Sequence, residues 1–415
     1  MRNQKTLPKS SPPQISNLPD LESKRGGHLT SKRPVVYIKT FGCQMNDRDS
    51  EIIYGLLLER GWKKAESVEE ADCVLFNTCS VRHHAEERAY SNMGMLAKLK
   101  KRKPNLILGF VGCTAQKDRD EVFKRLPHVD LVTGPGEIYN IPDYVNAILQ
   151  GRKRLLATSL CERPDSKNPL YREKKTSAYV SISEGCDNFC SYCIVPYVRG
   201  RQRSRNKKMI LDEIRTAAEQ GIKEITLVGQ NVNSYGSELK DNSNFINLLE
   251  EVHHIDGIKR IRFVTSHPKD TREELFKTMQ DLPKIYKHLH LPMQSGSAKI
   301  LKAMKRGYTP QHYLKLINKL RSYISDCNIT TDIMVGFPGE QDEDFKDTYN
   351  IMKEIEFDSA YIFKYSPRPP AESSRLADDV PMEVKKARHT ELLELQKEIS
   401  RKKRVMRKGE VLPMA

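Results

Sequence analysis

Three cysteines fall within eight residues, in the run Ser183-Glu184-Gly185-Cys186-Asp187-Asn188-Phe189-Cys190-Ser191-Tyr192-Cys193. The C-x3-C-x2-C spacing lets three thiolates reach three corners of one iron–sulfur cube, and thiolate is the usual protein ligand of such clusters. No fourth cysteine lies nearby, so one iron would keep an open position at which a substrate or cofactor can bind. A structural zinc wants four ligands, usually as two pairs, and no second C-x2-C or H-x3-H stands within reach. A disulfide account fails because three cysteines in so short a run cannot all pair.

Cys43, Cys79 and Cys113 form a second set. Each follows a short apolar run of strand character: Val35-Val36-Tyr37-Ile38, Cys73-Val74-Leu75-Phe76 and Leu106-Ile107-Leu108-Gly109-Phe110-Val111. In an open parallel sheet the C-terminal strand ends share one edge, where ligands bind. The three thiols should therefore converge on a second cluster site. Free cysteine is also a common core residue, which serves for one such position but not for the same position three times. Cys73 sits inside its strand and reads as core; Cys161 and Cys327 receive no role.

The elements that must position these residues follow from hydrophobic period and punctuation. Residues 1–33 are rich in Pro, Ser and Lys, with seven Lys or Arg against two acids, a composition expected to be a disordered basic tail. From 34 to 150, strands alternate with helices, including a fourth strand at His128–Val132 and one long charged helix from Arg82 to Lys101. This predicts an α/β domain with an open parallel sheet of flavodoxin- or Rossmann-like type. Residues 151–176 are polar and basic and read as a linker. From 177 to 370, six strand–helix repeats predict an incomplete (β/α)6 barrel of TIM type, with its chemistry at the C-terminal strand ends. Residues 371–415 hold a helix from Met382 to Arg407 ending in a basic run.

Four loops of the second domain end strands with glycine and polar residues: Gly229-Gln230-Asn231, Thr265-Ser266-His267-Pro268, Pro292-Met293-Gln294-Ser295-Gly296-Ser297 and Gly336-Phe337-Pro338-Gly339-Glu340. Glycine admits a close ligand, and the polar side chains can hydrogen-bond its amines and hydroxyls. The chain of 415 residues carries a net charge of +16, which fits a polyanionic partner such as nucleic acid. No apolar run is long enough to span a bilayer, and nine cysteines without a secretory leader fit a reducing, cytoplasmic setting.

The cysteine triplet with its aromatic Tyr192 resembles the signature of the radical S-adenosylmethionine (SAM) enzymes. The ordered motifs TFGCQMN (Thr40–Asn46), NTCSVR (Asn77–Arg82), VGC (Val111–Cys113), EGCDNFCSYCIVPYVRGRQRSR (Glu184–Arg205), LVGQNVNSYG, TSHP, HLHLPMQSGS, MKRGYT and DIMVGFPGE resemble, more narrowly, the radical SAM methylthiotransferases. The resemblance covers residues 34 to 405 and implies two [4Fe–4S] clusters. Cys186, Cys190 and Cys193 would hold the one that cleaves SAM. Cys43, Cys79 and Cys113 would hold an auxiliary cluster carrying the sulfur to be inserted. Tyr192 would be among the cofactor-binding residues, Gly229, Gln230 and Asn231 would lie near the methionine part of SAM, and Gly336, Phe337, Pro338, Gly339 and Glu340 near its adenine or ribose.

The implied activity is methylthiolation at C2 of N6-dimethylallyladenosine beside a tRNA anticodon. The implied partners are the tRNA anticodon loop and an electron donor such as flavodoxin or ferredoxin, with the chain a monomer and no membrane involved. Threonylcarbamoyl-adenosine in tRNA or a ribosomal-protein aspartate are alternative substrates, and a non-catalytic two-cluster electron carrier or RNA-binding protein is an alternative of another class. Relatives of this kind normally end in a small β-barrel RNA-binding module, TRAM, which is expected to be absent here.

Overall fold

A computed structural model describes residues 33–81, 83–160, 170–173 and 176–406. The basic tail before Arg33, Cys161 and the run after Met406 lie outside the described residues.

Among the described residues the first six strands are β1 (Val35–Thr40), β2 (Lys63–Lys64), β3 (Cys73–Thr78), β4 (Ile107–Gly112), β5 (Leu131–Thr133) and β6 (Leu155–Ala157). They form one parallel sheet in the order β2-β1-β3-β4-β5-β6. Alternate residues of the same strand feed opposite cores. Val74 and Phe76 join Leu108, Phe110 and Tyr90 on one face, while Cys73 and Leu75 join Val36, Ile38 and Ile53 on the other. A sheet covered on both faces reads as continuous apolar runs rather than alternation, which is why these strands stood out in the sequence, and Cys73 is core as expected. Two details differ from expectation. The segment read as linker supplies β6, a three-residue edge strand in which only Leu155 is buried, too short to show a period. The long helix expected from Arg82 is two, His83–Met95 and Ala97–Arg102, broken at Leu96.

The second domain continues with β7 (Ser177–Ser181), β8 (Ser183–Glu184), β9 (Arg203–Ser204), β10 (Glu224–Val228), β11 (Arg260–Phe263), β12 (His288–His290), β13 (Asn328–Val335) and β14 (Ser359–Lys364). Six of these run parallel in chain order as an arc: β7-β10-β11 and β12-β13-β14 are hydrogen-bonded triplets, joined by an isolated parallel pairing of Ile261 with Ile285. β8 and β9 form a separate antiparallel pair bracketing the cysteine loop. Helices cover the outside of the arc, and one core runs through the whole, from Val180 and Leu227 to Ile333 and Ile362. The C-terminal helix Met382–Met406 belongs to that core through Leu392, Leu395 and Ile399. No helix among the described residues is long and apolar enough to cross a membrane.

Candidate active site

β1, β3 and β4 are neighbours in the sheet, and each delivers one cysteine at its C-terminal end. Register fixes the alignment: Thr40 pairs with Asn77, and Thr78 with Gly112. Cys43 caps the helix Gln44–Glu59, Cys79 follows β3, and Cys113 opens the helix Cys113–Asp118. The loops are bound to one another by side-chain amides. Asn46 Nδ2 donates to Asn77 Oδ1 (3.0 Å) and to the Thr78 carbonyl (2.9 Å), and Asn77 Nδ2 donates back to the Asn46 carbonyl (2.8 Å). This clamp explains why asparagine recurs beside the cysteines in TFGCQMN and NTC. Gly42 sits at φ +137°, and a Cβ there would stand 2.4 Å from Cys79 Cβ, so only glycine lets the two loops approach.

The three thiols face one another. The hydrogen bond between Cys43 and Cys79 brings Cys43 down to about 6, against the opposing effect of burial, with Arg199 assisting. Cys79 is pushed up as the proton-bearing partner, and burial raises Cys113. Buried hydroxyls without a partner among the described residues flank the set, Ser80 Oγ beside Cys79 and Thr114 Oγ1 beside Cys113. Three thiols with no carboxylate among them form a donor set suited to iron–sulfur ligation.

Cys186, Cys190 and Cys193 form the second set, held in the loop between β8 and the helix Val195–Arg199. Gly185 has φ +74°, and a Cβ there would lie 2.1 Å from the Arg201 carbonyl oxygen, so the Gly200–Arg201 segment leading into β9 passes directly behind the loop. Gln230 accepts a hydrogen bond from the Gly185 amide (2.6 Å). Burial pushes Cys193 up to about 12 and raises Cys186. Two donors reach the Cys190 sulfur. Arg306 Nη1 lies at 3.4 Å, while its Nη2 donates to the Pro292 carbonyl (2.9 Å). His267 Nε2 lies at 3.9 Å. His267 Nδ1 accepts from the Lys269 amide (3.2 Å), so the ring proton is on Nε2 and points at the sulfur. Burial, then Arg306, drives the His267 imidazole to about 2, which keeps it neutral.

Among the described residues no three of His, Cys, Asp or Glu converge on a single-ion site. A cube distributes its thiolates over separate iron corners, and each set offers three thiols for such corners. The mouth around the second set also fits a polar small ligand. Ser183 Oγ at the start of β8, Asn231 Oδ1 three residues past β10 and Ser266 Oγ three residues past β11 are buried and have no partner among the described residues. Gly229 lies so close to Ser183 Oγ that a Cβ would meet it at 2.6 Å. Asn231 Nδ2 donates to Asp270 (2.6 Å), which leaves its oxygen for a donor. Tyr192 and Phe337 share one apolar cluster with Met304 and Tyr365. The Glu340 carboxylate accepts from the Gly336 amide (2.8 Å) and from Arg388 of the C-terminal helix (2.7 Å). It closes its own loop and grips that helix. Gly336 packs against Lys385 of the same helix.

Sequence reasoning passed over Arg199, Asp49, Arg306 and His267. Each sat inside a quoted motif or beside one, but nothing local distinguishes a buried arginine from a solvated one. Arg199 joins the two sets. It ends the short helix that begins two residues after Cys193, and its guanidinium enters the first domain and donates to Asp49 Oδ2 (2.8 Å), both side chains being buried. The same helix packs Ile194 and Val198 on Cys113.

Comparison with known proteins places the chain in a family. The model of the Radical SAM superfamily matches residues 180–352, and that of Uncharacterized protein family UPF0004 matches residues 35–134. The chain is 47% identical over 383 residues to the tRNA-2-methylthio-N(6)-dimethylallyladenosine synthase of Caldicellulosiruptor saccharolyticus, covering 92% of this chain and 81% of that one. It is 45% identical to the same-named enzyme of Acetivibrio thermocellus, covering 90% and 78%. Among solved structures, the radical SAM methyltransferase TsrM from Kitasatospora setae superposes with a TM-score of 0.60 at 15% identity, over 83% of this chain and 75% of that one. The cobalamin-dependent SAM radical enzyme OxsB gives 0.56 at 11%, over 88% and 62%. These two share the fold. With both domains matched and close to half of all residues identical over nine-tenths of its length, the chain belongs to the family of the radical SAM tRNA-2-methylthio-N(6)-dimethylallyladenosine synthases.

Proposed function

We propose that this protein converts N6-dimethylallyladenosine beside the tRNA anticodon to its 2-methylthio derivative. The observation that carries the reading is the meeting of two three-cysteine sets, one at the strand ends of each domain, across the single helix Val195–Arg199. A radical enzyme that inserts sulfur needs a site that generates the radical next to a site that supplies the sulfur, and one centre alone does not provide both. When bound, the cluster and SAM supply reductive cleavage to a carbon radical, and the cofactors rather than side chains carry that chemistry.

The chain's own residues bind and orient. Cys186, Cys190 and Cys193 hold the SAM-cleaving cluster; Cys43, Cys79 and Cys113 hold the auxiliary one. Gly229 and Asn231, with Ser183 and Ser266, line the SAM side of the mouth, Gln230 fixes the loop at Gly185, and Phe337 belongs to the apolar cluster on which Tyr192 packs. An unpaired loop base suits such a mouth, because RNA is usually read where bases are splayed out of helices. The working unit is a cytoplasmic monomer: residues 34–150, extended by β6, carry the auxiliary site and residues 177–370 the barrel. It receives electrons from a flavodoxin or ferredoxin.

Mass spectrometry of nucleosides from the tRNA of a deletion strain tests the reading. Loss of the 2-methylthio derivative, with accumulation of N6-dimethylallyladenosine, is expected. An unchanged methylthioadenosine profile overturns it and turns attention to a protein substrate.

A further inference from the structure

We propose that Arg199, carried by the barrel, is the positioning and charge-setting residue of the cluster site that Cys43, Cys79 and Cys113 form in the other domain, so that this site is complete only when the two domains are docked. The inference rests on the auxiliary-cluster reading given above.

The geometry is specific. Arg199 lies six residues after Cys193, at the end of a helix whose apolar side, Ile194 and Val198, is seated on Cys113. Its side chain is 3% exposed and that of Asp49 is 1% exposed. A buried guanidinium is costly unless its donors are used. Asp49 takes Nη2 at 2.8 Å, while Nη1 is buried with no hydrogen-bond partner among the described residues. An arginine holds five donors in a fixed plane. With Nη2 fixed by Asp49 and its own helix seated on Cys113, Arg199 acts on Cys43 and on Cys113.

An interdomain ion pair needs only one arm of an arginine. A second arm free to act on Cys43 and Cys113 has a use once sulfur ligands carry negative charge. Asp49 lies on the helix that Cys43 caps, so the carboxylate that orients the fork belongs to the domain that owns the cysteines.

Hydrogen bonds and positive charge beside cluster sulfurs favour the reduced, more negative state and raise the reduction potential. Two substitutions therefore have opposite signs. Arg199→Gln removes the cation and should lower the potential of the cluster on Cys43, Cys79 and Cys113. Asp49→Asn removes a neighbouring negative charge, leaves the cation, and should raise it. A contact that only holds the domains together gives no such opposition.

The experiment uses the full-length chain with Cys186, Cys190 and Cys193 replaced by Ala, reconstituted anaerobically with iron and sulfide, so that a single cluster is observed. Iron per chain and the midpoint from EPR-monitored redox titration are measured for this parent and for its added Arg199→Gln, Arg199→Lys and Asp49→Asn variants. The expected result is unchanged iron, a downward shift in Arg199→Gln, an upward shift in Asp49→Asn, and Arg199→Lys nearer to the parent than Arg199→Gln. Midpoints that do not move at full iron content, or that move in the same direction in Arg199→Gln and Asp49→Asn, overturn the proposal. Should Arg199→Gln lose its iron, Asp49→Asn decides: an upward shift supports the assignment and an unchanged midpoint overturns it. A parent that binds no iron defeats the auxiliary-cluster reading itself, which is a distinct result from a bound cluster indifferent to Arg199.

Discussion

Arg306 shows how much a single side chain can decide here. It is 4% exposed and divides its donors among the Cys190 sulfur, the Tyr192 hydroxyl (3.4 Å), the Pro292 carbonyl and the Tyr308 hydroxyl. Partners one layer out from metal ligands typically set metal affinity or activity by about 10–100-fold. Arg306→Gln keeps a polar side chain but loses the cation and most of the fork. SAM cleavage should slow by about that factor, read as 5′-deoxyadenosine formed in a single turnover under a strong reductant, with iron content verified first. A rate within twofold of wild type would show the arginine to be a packing element only. The cysteines were legible in the sequence because both sets declare themselves locally, one by spacing and one by repeated strand-end position. Arg306 and Arg199 were not, because their partners lie 116 and 150 residues away. In the text of the chain they are two more cations among 70 Lys and Arg.

Among the elements, the C-terminal helix does most that its sequence did not announce. It read as a helix ending in a basic run, yet near its start Lys385 is 1% exposed and lies against Gly336. Arg388 reaches Glu340 at 2.7 Å, with the two side chains 7% and 2% exposed. The loop that was expected to face a cofactor is thus braced from behind by this helix. Burial raises the Glu340 carboxyl, opposed by the Gly336 amide and by Arg388, so the pair is one in which desolvation is already expensive. Arg388→Met should destabilise the protein by about 3–5 kcal/mol, the usual cost of stranding one member of a buried pair. Glu340→Gln combined with Arg388→Met should recover most of that loss. Denaturant unfolding of the two single variants and the double variant measures it, and additive losses would mean that the two residues do not act as a pair. The edge strand β6 escaped notice for a related reason. A three-residue strand with one buried side chain has no period, and only its pairing with β5 reveals it.

At the scale of the whole molecule, the question is what holds two domains in register so that their cysteine sets face each other. Glu213, on the barrel helix Lys207–Glu219, is the centre of the answer. It pairs with Arg48 of the first domain at 2.8 Å, and with Arg172 and Arg205 at 3.0 Å each. On another face Arg368, from the loop after β14, pairs with Glu86 at 3.3 Å. Burial alone would raise the Glu213 carboxyl, but Arg48, Arg205 and Arg172 outweigh it and hold it below its ordinary 4.5. A carboxyl whose value is depressed by folding contributes stability above its unfolded value, and loses that contribution as pH falls through the folded one. Glu213→Gln would leave three arginines facing one another across the domain boundary. The expected cost is about 3–5 kcal/mol near neutral pH. The gap between wild type and variant should stay constant down to roughly pH 4.5 and narrow below it, because acid then protonates in the wild type what the substitution has already removed. Unfolding of both proteins followed across that range, with cluster loss common to the two, isolates the difference. A gap that persists undiminished once Glu213 is protonated would mean that the carboxylate's charge is not what docks the domains, and that apolar contacts such as those of Ile194 and Val198 on Cys113 suffice.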